Sequence, residues 1–212
     1  MSKFGIIGEG ITDQITIENI LCGFFENPDL ENEIQYLQPP KHNTGIGGWK
    51  VVFKYLVSSD FRNDILNNEF VILQIDTDVS NEVGYDVQKK YNQNNELLIP
   101  ELINNVTERL ISEINQGELG FYEQYADKII FAISVHSLEC WLVAYYGEHI
   151  IKDNCFDVLR TTKLPKNIQL SKTHSKYDML SQAFLNRENI EIVRIKDTSF
   201  KHFIQQLQPI SP

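Results

Sequence analysis

Short apolar runs alternate along the chain with longer segments in which apolar residues recur every three or four positions. The runs are four to six residues long and rich in Ile, Val, Leu and Phe, which is typical of buried parallel strands. They occupy residues 3–8, 34–37, 70–75, 129–133 and 191–195. We therefore predict five strands, of which the last precedes a closing helix.

The segments between these runs have helical spacing and predict amphipathic helices. Thr12 is placed to cap the first of them. The apolar positions of the six clearest segments are Ile17, Ile20, Leu21 and Phe24; Trp49, Val52, Phe53 and Leu56; Ile99, Leu102, Ile103, Val106, Leu110 and Ile114; Leu138, Trp141, Leu142 and Tyr145; Tyr177, Leu180 and Phe184; and Phe200, Phe203, Ile204 and Leu207. Alternating strands and helices predict an α/β fold, with a mostly parallel central sheet flanked by helices on both faces.

Composition supports one domain over residues 1–212, because 212 residues with 42% hydrophobic content suit one large core. No apolar run approaches the roughly 18 to 20 residues of a membrane span, and the first residues lack a secretory signal. We therefore expect a cytoplasmic protein. Cys22, Cys140 and Cys155 are odd in number and lack CxxC spacing, so we expect buried or incidental thiols rather than a disulfide framework or a zinc site.

Charge is unevenly distributed about an overall formal value of −10. Residues 1–151 contain 9 Lys and Arg against 23 Asp and Glu, whereas residues 152–212 contain 10 against 6. The balance excludes a uniformly basic nucleic-acid binder. Residues 150–212 are interpreted as a basic extension of the same domain. They either face a polyanion beside an acidic site or reflect ordinary surface variation.

Acidic residues follow two of the apolar runs. Glu9 comes after the first run and just before a helix, and Asp76 and Asp78 follow residues 70–75. The carboxyl ends of parallel strands meet at one edge of a sheet, where ligands bind, so the three side chains should lie together. Neighbouring carboxylates repel unless a cation lies between them, and Mg²⁺ prefers carboxylate oxygens. The pattern predicts a Mg²⁺ or Mn²⁺ site, although Glu9 alone is also explained by the helix dipole.

Other candidates are less specific. Glu139 falls in a first helical turn after residues 129–133, where it could be a fourth acid or simply complement the helix dipole. His136 could hydrogen-bond locally, cap that helix, or take a catalytic or metal-binding role. Glu82 is expected in a solvated loop. Three lysines of the basic segment are candidates for stabilising negative charge in a transition state: Lys172, Lys176 and Lys201.

The order of these motifs resembles the Toprim domain. Glu9-Gly10-Ile11-Thr12-Asp13 is similar to its "EG-x-[TS]-[DE]" motif, and Asp76-Thr77-Asp78 to its Asp-x-Asp. Gly47-Gly48-Trp49 and the segment from His136 to Ala144 resemble small Toprim-like relatives of OLD-family nucleases, whose helix typically reads "ESWLLA". Cys140 replaces the usual serine. The closing segment from Lys196 to Phe203 is similar to a lysine- and phenylalanine-containing end of such proteins.

The resemblance implies a metal-dependent nuclease, often encoded with an ABC-type ATPase in systems that defend bacteria against phage. On this interpretation Glu9, Asp76 and Asp78 bind metal, Glu139 is an outer or second-metal ligand, and Lys201 is a catalytic cation. Glu9 could instead be a general base. The expected partners are a nucleic acid, DNA in the first place, and an ATPase, with a homo-oligomer also open.

Three alternatives remain open at this stage. Asp76 could be the nucleophile of a haloacid-dehalogenase-like phosphatase, although that motif normally opens the fold. A dinucleotide-binding protein is the weakest alternative, because Gly5, Gly8 and Gly10 follow GxxGxG rather than the GxGxxG spacing of that class. The chain could also be a non-catalytic regulatory subunit of an ATPase-based defence or toxin system.

Overall fold

The centre of the computed structural model is a four-stranded, entirely parallel sheet in the order β2-β1-β3-β4. The structure describes residues 2–40, 47–90, 95–147, 153–165 and 168–210. The strands are β1 (Ser2–Ile7), β2 (Ile34–Gln38), β3 (Asn68–Asp76) and β4 (Ile129–Ser134). The predicted α/β class is confirmed, as are the first four predicted strands.

Ten α-helices are found in the described part of the chain, and short 3₁₀ segments precede β2 and β4 and follow α8. The helices are α1 (Ile11–Phe24), α2 (Trp49–Leu56), α3 (Ser59–Asn67), α4 (Ile99–Gly117), α5 (Phe121–Tyr125), α6 (Glu139–Tyr146), α7 (Cys155–Thr161), α8 (His174–Ser181), α9 (Arg187–Lys196) and α10 (Thr198–Leu207). None of the described helices has the length and apolar character needed to cross a membrane.

Both faces of the sheet are buried, because successive residues of a strand point to opposite faces. In β3, Ile72 joins one apolar cluster, whereas Val71 and Leu73 join a second. The first cluster is covered by α1 and by helices α6 to α10, and the second by helices α2 to α5. This two-sided burial explains why β3 and β4 are continuous apolar runs rather than alternating ones.

The strand order creates a switch point between β1 and β3. From β1 the chain passes through α1 to β2 on one side, and then returns through α2 and α3 to β3 on the other side of β1. Helix α1 covers the first face, whereas α4, which follows β3, covers the second. Loops that leave neighbouring strands toward opposite faces open a crevice at the carboxyl ends of those strands.

The predicted strand at residues 191–195 is wrong, because these residues lie inside α9. Their β-branched composition favours a strand, but tertiary packing selects a helix. The Asn186 side chain caps the helix by accepting the Glu188 N–H at 2.8 Å. Ile190 and Val193, three residues apart, then face the core together.

The predicted cap at Thr12 is also wrong. Helix α1 begins at Ile11 after Gly10, whose extended backbone occupies the capping position without a side-chain bond. Thr12 lies within the first turn, where its carbonyl oxygen accepts the Thr16 hydroxyl at 2.8 Å. The helix therefore starts close to Glu9.

The expectation of three free thiols is wrong, because Cys140 on α6 and Cys155 on α7 form a disulfide. Cys22 is the buried free cysteine of the described residues. Disulfides persist mainly in oxidising compartments. The cytoplasmic location stays a prediction, and this bond argues against it.

Removing this disulfide is expected to destabilise the fold by about 3 kcal/mol, since it closes a loop between residues 15 positions apart. Thermal unfolding of Cys155→Ser should show a melting temperature lower by roughly 6 to 12 °C. Cys22→Ser is the matched control and should not respond to dithiothreitol differently from the wild type. Equal melting temperatures for the wild type with and without dithiothreitol would contradict the prediction.

Candidate metal centre

Four predicted acidic residues meet at the carboxyl edge of the sheet. Glu9 follows β1, Asp76 ends β3, Asp78 lies in the turn after β3, and Glu139 begins the helix after β4. Asp76, Asp78 and Glu139 line a cavity of about 380 Å³ together with Lys172. Glu9 is connected to this group by a hydrogen bond from the Asp76 backbone N–H to its carboxylate.

The carboxylates of Glu9 and Asp76 are held by backbone amides of neighbouring elements. Glu9 Oε1 accepts the Asp76 N–H at 2.8 Å, which ties the end of β1 to the end of β3. Asp76 Oδ1 accepts the Leu138 N–H at 3.0 Å and the Gln74 amide at 2.9 Å. The parallel register makes these bonds available, since Asp76 pairs with Ser134 at the end of β4.

Asp13 is a fifth acidic residue of the site, and it was not predicted as a ligand from the sequence. It lies in the first turn of α1 and is 8% exposed. Burial, followed by the charges of Glu9 and Glu139, raises the pKa of its carboxyl to about 8. Its position at the end of the Glu9-Gly10-Ile11-Thr12-Asp13 motif was the signal that could have identified it.

Burial and neighbouring carboxylates also raise the pKa values of two predicted ligands. Burial and the charge of Asp78 raise the pKa of Glu9 to about 7, although the Asp76 amide acts in the opposite direction. The pKa of Asp76 is well above its usual value, first because of burial and then because of Glu9 and Asp13. The cluster therefore holds more negative charge than its surroundings can stabilise.

Glu139 differs from the other acids because a cation already accompanies it. Lys172 Nζ lies 3.4 Å from Glu139 Oε1, and the Tyr177 hydroxyl donates to the same oxygen at 2.5 Å. Burial by itself would raise the pKa of Glu139, but Lys172 and Tyr177 outweigh it and lower the pKa. Lys172 also lies over the ring of Phe156, at 5.3 Å from its centroid.

Three of the remaining predicted residues, Lys201, Lys176 and Glu82, lie outside the described lining of the acidic cavity. Lys201 is exposed on α10 and Lys176 is half-buried on α8. Neither lies among the described residues that line the acidic cavity. Glu82 is exposed in a turn, as expected. Lys89, which was not among the predicted residues, donates from Nζ to the Asp78 carbonyl oxygen and lines the cavity.

The carboxylates fit a divalent cation as a set of ligands but not as a preformed coordination sphere. Within the described residues, no three His, Cys, Asp or Glu side chains are grouped so that they could hold a metal ion. Glu9 and Asp76 instead use oxygens to accept protein N–H groups. To bind an ion, these side chains would have to exchange their N–H donors for the metal. Burial and mutual repulsion of the carboxylates favour that exchange, because a cation would neutralise their charge.

Gly47 and Gly48 hold the loop of Glu9 in place. The Gly48 N–H donates to the Glu9 carbonyl at 2.8 Å, and a Cβ on Gly47 would lie 2.0 Å from that oxygen. Gly47→Ala is therefore expected to displace Glu9 and to lower metal-dependent activity by about 100-fold. Metal titrations should show weaker binding. Gly120→Ala is the control for backbone strain: its φ of +78° disfavours alanine, but a Cβ there meets no atom within 4 Å and the residue is not part of the described lining of the acidic cavity, so activity and metal affinity should be unchanged even if the melting temperature falls. Unchanged activity and metal affinity in Gly47→Ala would contradict the prediction.

Comparisons with models of known protein families, with curated proteins and with solved structures found no match. The site is therefore defined by its own residues: their positions at the switch point of the sheet, their burial and their charges.

Proposed function

We propose that this chain is a nuclease that hydrolyses phosphodiester bonds with Mg²⁺ or Mn²⁺, held by Glu9, Asp76 and Asp78 with Asp13 beside them. The observation that carries the proposal is the concentration of partly buried carboxylates at the switch point, where burial and mutual repulsion raise the pKa of Glu9 and Asp13 to about 7 and about 8. Such a cluster is stabilised by a divalent cation. The resemblance to Toprim nucleases supports the same assignment.

The protein groups have distinct roles in this proposal. A bound divalent ion supplies Lewis-acid stabilisation of the phosphodiester oxygens. Glu9, with a pKa of about 7, is suited to accept a proton from water near neutral pH if it does not bind the ion directly. Lys172, 3.4 Å from Glu139, lines the acidic cavity and stabilises negative charge on the phosphoryl group.

Further roles come from the resemblance and the sequence alone. Glu139 is an outer or second-metal ligand. Lys201 is proposed as a second catalytic cation because it belongs to the basic C-terminal segment, although it is not among the described residues that line the acidic cavity. DNA is the proposed substrate, and an ABC-type ATPase is the proposed partner in defence against phage. A homo-oligomeric state belongs to the same proposal. The cytoplasmic location is a separate proposal drawn from the lack of a long apolar run, and the Cys140–Cys155 disulfide argues against it.

The test is incubation of the purified protein with Mg²⁺ or Mn²⁺ and supercoiled plasmid, single-stranded DNA or RNA. We expect cleavage of at least one of the three substrates, and loss of that cleavage in EDTA. The same reaction with a phosphomonoester substrate separates this proposal from the haloacid-dehalogenase alternative, which places Asp76 as nucleophile although it follows the third strand. Cleavage of none of the three polynucleotides with either metal would contradict the proposal.

A non-catalytic regulatory role is the second candidate, and one observation favours it. Oxygens of Glu9 and Asp76 already accept protein N–H groups. This is expected if the acidic residues serve the structure and do not bind metal. In that case Asp76→Asn would leave the cellular phenotype intact. If the chain is a nuclease, the same substitution should abolish cleavage in vitro and the cellular phenotype that depends on it.

A further inference from the structure

A second cavity adjoins the acidic one. Its volume is about 390 Å³, which lies in the range of small-molecule sites. It shares Lys89, Glu96 and His136 with the acidic cavity, so these residues form a boundary between the two. The rest of its lining is mainly apolar or carries hydroxyl groups: Thr77, Leu97, Leu98, Ile99, Pro100, Leu102, Val135 and Thr198.

The chemistry of this second cavity differs from that of the first. One lysine and one glutamate face it, both at the shared boundary, and the remaining described lining residues other than His136 carry no ionisable side chain. An apolar cavity with nearly balanced charge does not suit a phosphate, which would require several cations or amide donors. It suits a flat, uncharged and partly apolar group, which is the character of a nucleobase.

His136 lies at the boundary of the two cavities in an unusual backbone conformation. Its φ is +67°, a value that a residue with a side chain rarely adopts. Three hydrogen bonds fix it there: its N–H donates to Thr77 Oγ1 at 2.8 Å, and its carbonyl accepts the N–H groups of Thr77 at 3.0 Å and Asp78 at 2.8 Å. Backbone strain that is held by several bonds is typical of functional sites.

The imidazole of His136 is available for a ligand. It is half-buried and lines both cavities, and within the described ranges its ring nitrogens form no hydrogen bond. The backbone bonds to Thr77 and Asp78 fix its position relative to the turn that carries the proposed ligand Asp78. An aromatic ring in such a place can stack on a base, as in proteins that bind single-stranded nucleic acids.

We propose that this second cavity is the binding site for an unpaired nucleobase next to the phosphate to be cleaved, with His136 contacting the base. The proposal rests on the proposed nuclease function and specifies its substrate: a single-stranded or frayed polynucleotide, since a paired base is not free to enter. Lys89, on the boundary, then lies beside the linking phosphate. The unpaired base is common to DNA and RNA, so the test includes both.

The test measures binding rather than cleavage. Fluorescence anisotropy with Ca²⁺ in place of Mg²⁺ gives the affinity for single-stranded DNA, single-stranded RNA and blunt duplex DNA. His136→Gly removes the ring while glycine accepts the positive φ. We expect its affinity for single strands to fall at least about fivefold, with duplex affinity unchanged. Leu98→Ala, at a residue that is 71% exposed, should cause a smaller loss, whereas the matched control Leu66→Ala on α3, 52% exposed, should cause none.

An abasic scan decides whether a base is recognised. A single abasic nucleotide is moved along the oligonucleotide, and at one position the wild type should lose affinity. The loss should disappear in His136→Gly, because the contact is already absent. If no position matters, or if the variant shows the same loss, the base site is refuted. Base recognition without any cleavage would instead refute the nuclease function and leave the base site standing.

Discussion

Asp76→Asn is expected to reduce metal-dependent cleavage by at least about 10²- to 10³-fold while leaving the fold at least as stable as the wild type in metal-free buffer. Asn retains the oxygen that accepts the Gln74 amide and the Leu138 N–H, so the local hydrogen bonds survive. The substitution also removes a carboxyl group whose ionised form is destabilised by burial and by the neighbouring carboxylates. Activity and stability are therefore expected to change in opposite directions. Initial cleavage rates and thermal melts of the same preparation measure both.

Asp127→Asn is the matched control for this experiment. Asp127 is exposed and lies just before β4, at the opposite edge of the sheet from the acidic cluster. It should affect neither cleavage nor melting temperature. A large fall in the melting temperature of Asp76→Asn would mean that the carboxylate serves the fold, and full activity in this variant would remove Asp76 from the proposed centre.

Without a divalent ion, the protein is expected to lose stability as pH rises from about 4.5 to about 8. The folded-state pKa values of Glu9, about 7, and Asp13, about 8, lie above the ordinary values of 4.5 and 3.8. The folded state therefore binds more protons than the unfolded state in this window, and its free energy of unfolding falls as those protons are lost. Thermal melts in EDTA across this pH range measure the effect.

Mg²⁺ or Mn²⁺ should reverse this loss. A ligand that binds only the folded state adds about 2.7 kcal/mol at 100 times its Kd and about 4.1 kcal/mol at 1,000 times. For a chain of this size, the larger value corresponds to a rise of roughly 8 to 16 °C in melting temperature. The rise should be greatest near pH 8, where the carboxylates are ionised. NaCl at equal ionic strength is the control, and an equal rise with NaCl would contradict specific binding.

Asp13→Asn isolates the source of the pH dependence. Its pKa of about 8 makes it a contributor at the alkaline end of the window, together with Asp76, whose pKa is also raised. The variant should therefore melt higher than the wild type near pH 8 in EDTA and should converge with it near pH 4.5. Parallel melting curves at all pH values would show that the buried Asp13 carboxyl does not titrate as described.

Much of the fold was predictable because strong local patterns coincide with tertiary burial. The run at residues 70–75 is buried on both faces of the sheet, so its apolar character survives as β3. Residues 191–195 carry a similar β-branched pattern, yet only one side of that segment reaches the core. Local composition could not distinguish these two environments, because the difference lies in what packs against the segment.

The site was predictable to the extent that it follows from strand ends. Glu9, Asp76 and Asp78 are consequences of parallel strands ending at one edge. The strand ends do not predict Asp13 or Lys172: Asp13 was indicated only by the motif that it ends, and Lys172 was one of three candidate lysines with nothing to distinguish it. Asp13 enters because α1 begins at Ile11, and Lys172 is brought to Glu139 across a sequence separation of 33 residues by packing of the C-terminal helices. Such contacts have no periodic signature in the sequence.

The disulfide has a practical consequence for all work at this site. Cys140 directly follows Glu139, while Cys155 and its neighbour Phe156 line the acidic cavity, and Phe156 in turn contacts Lys172. One covalent bond thus fastens the wall of the cavity to the helix that begins with Glu139. A sample purified in dithiothreitol and one purified without it differ in that wall. Redox history during purification is therefore an experimental variable for every rate or affinity measured on this protein.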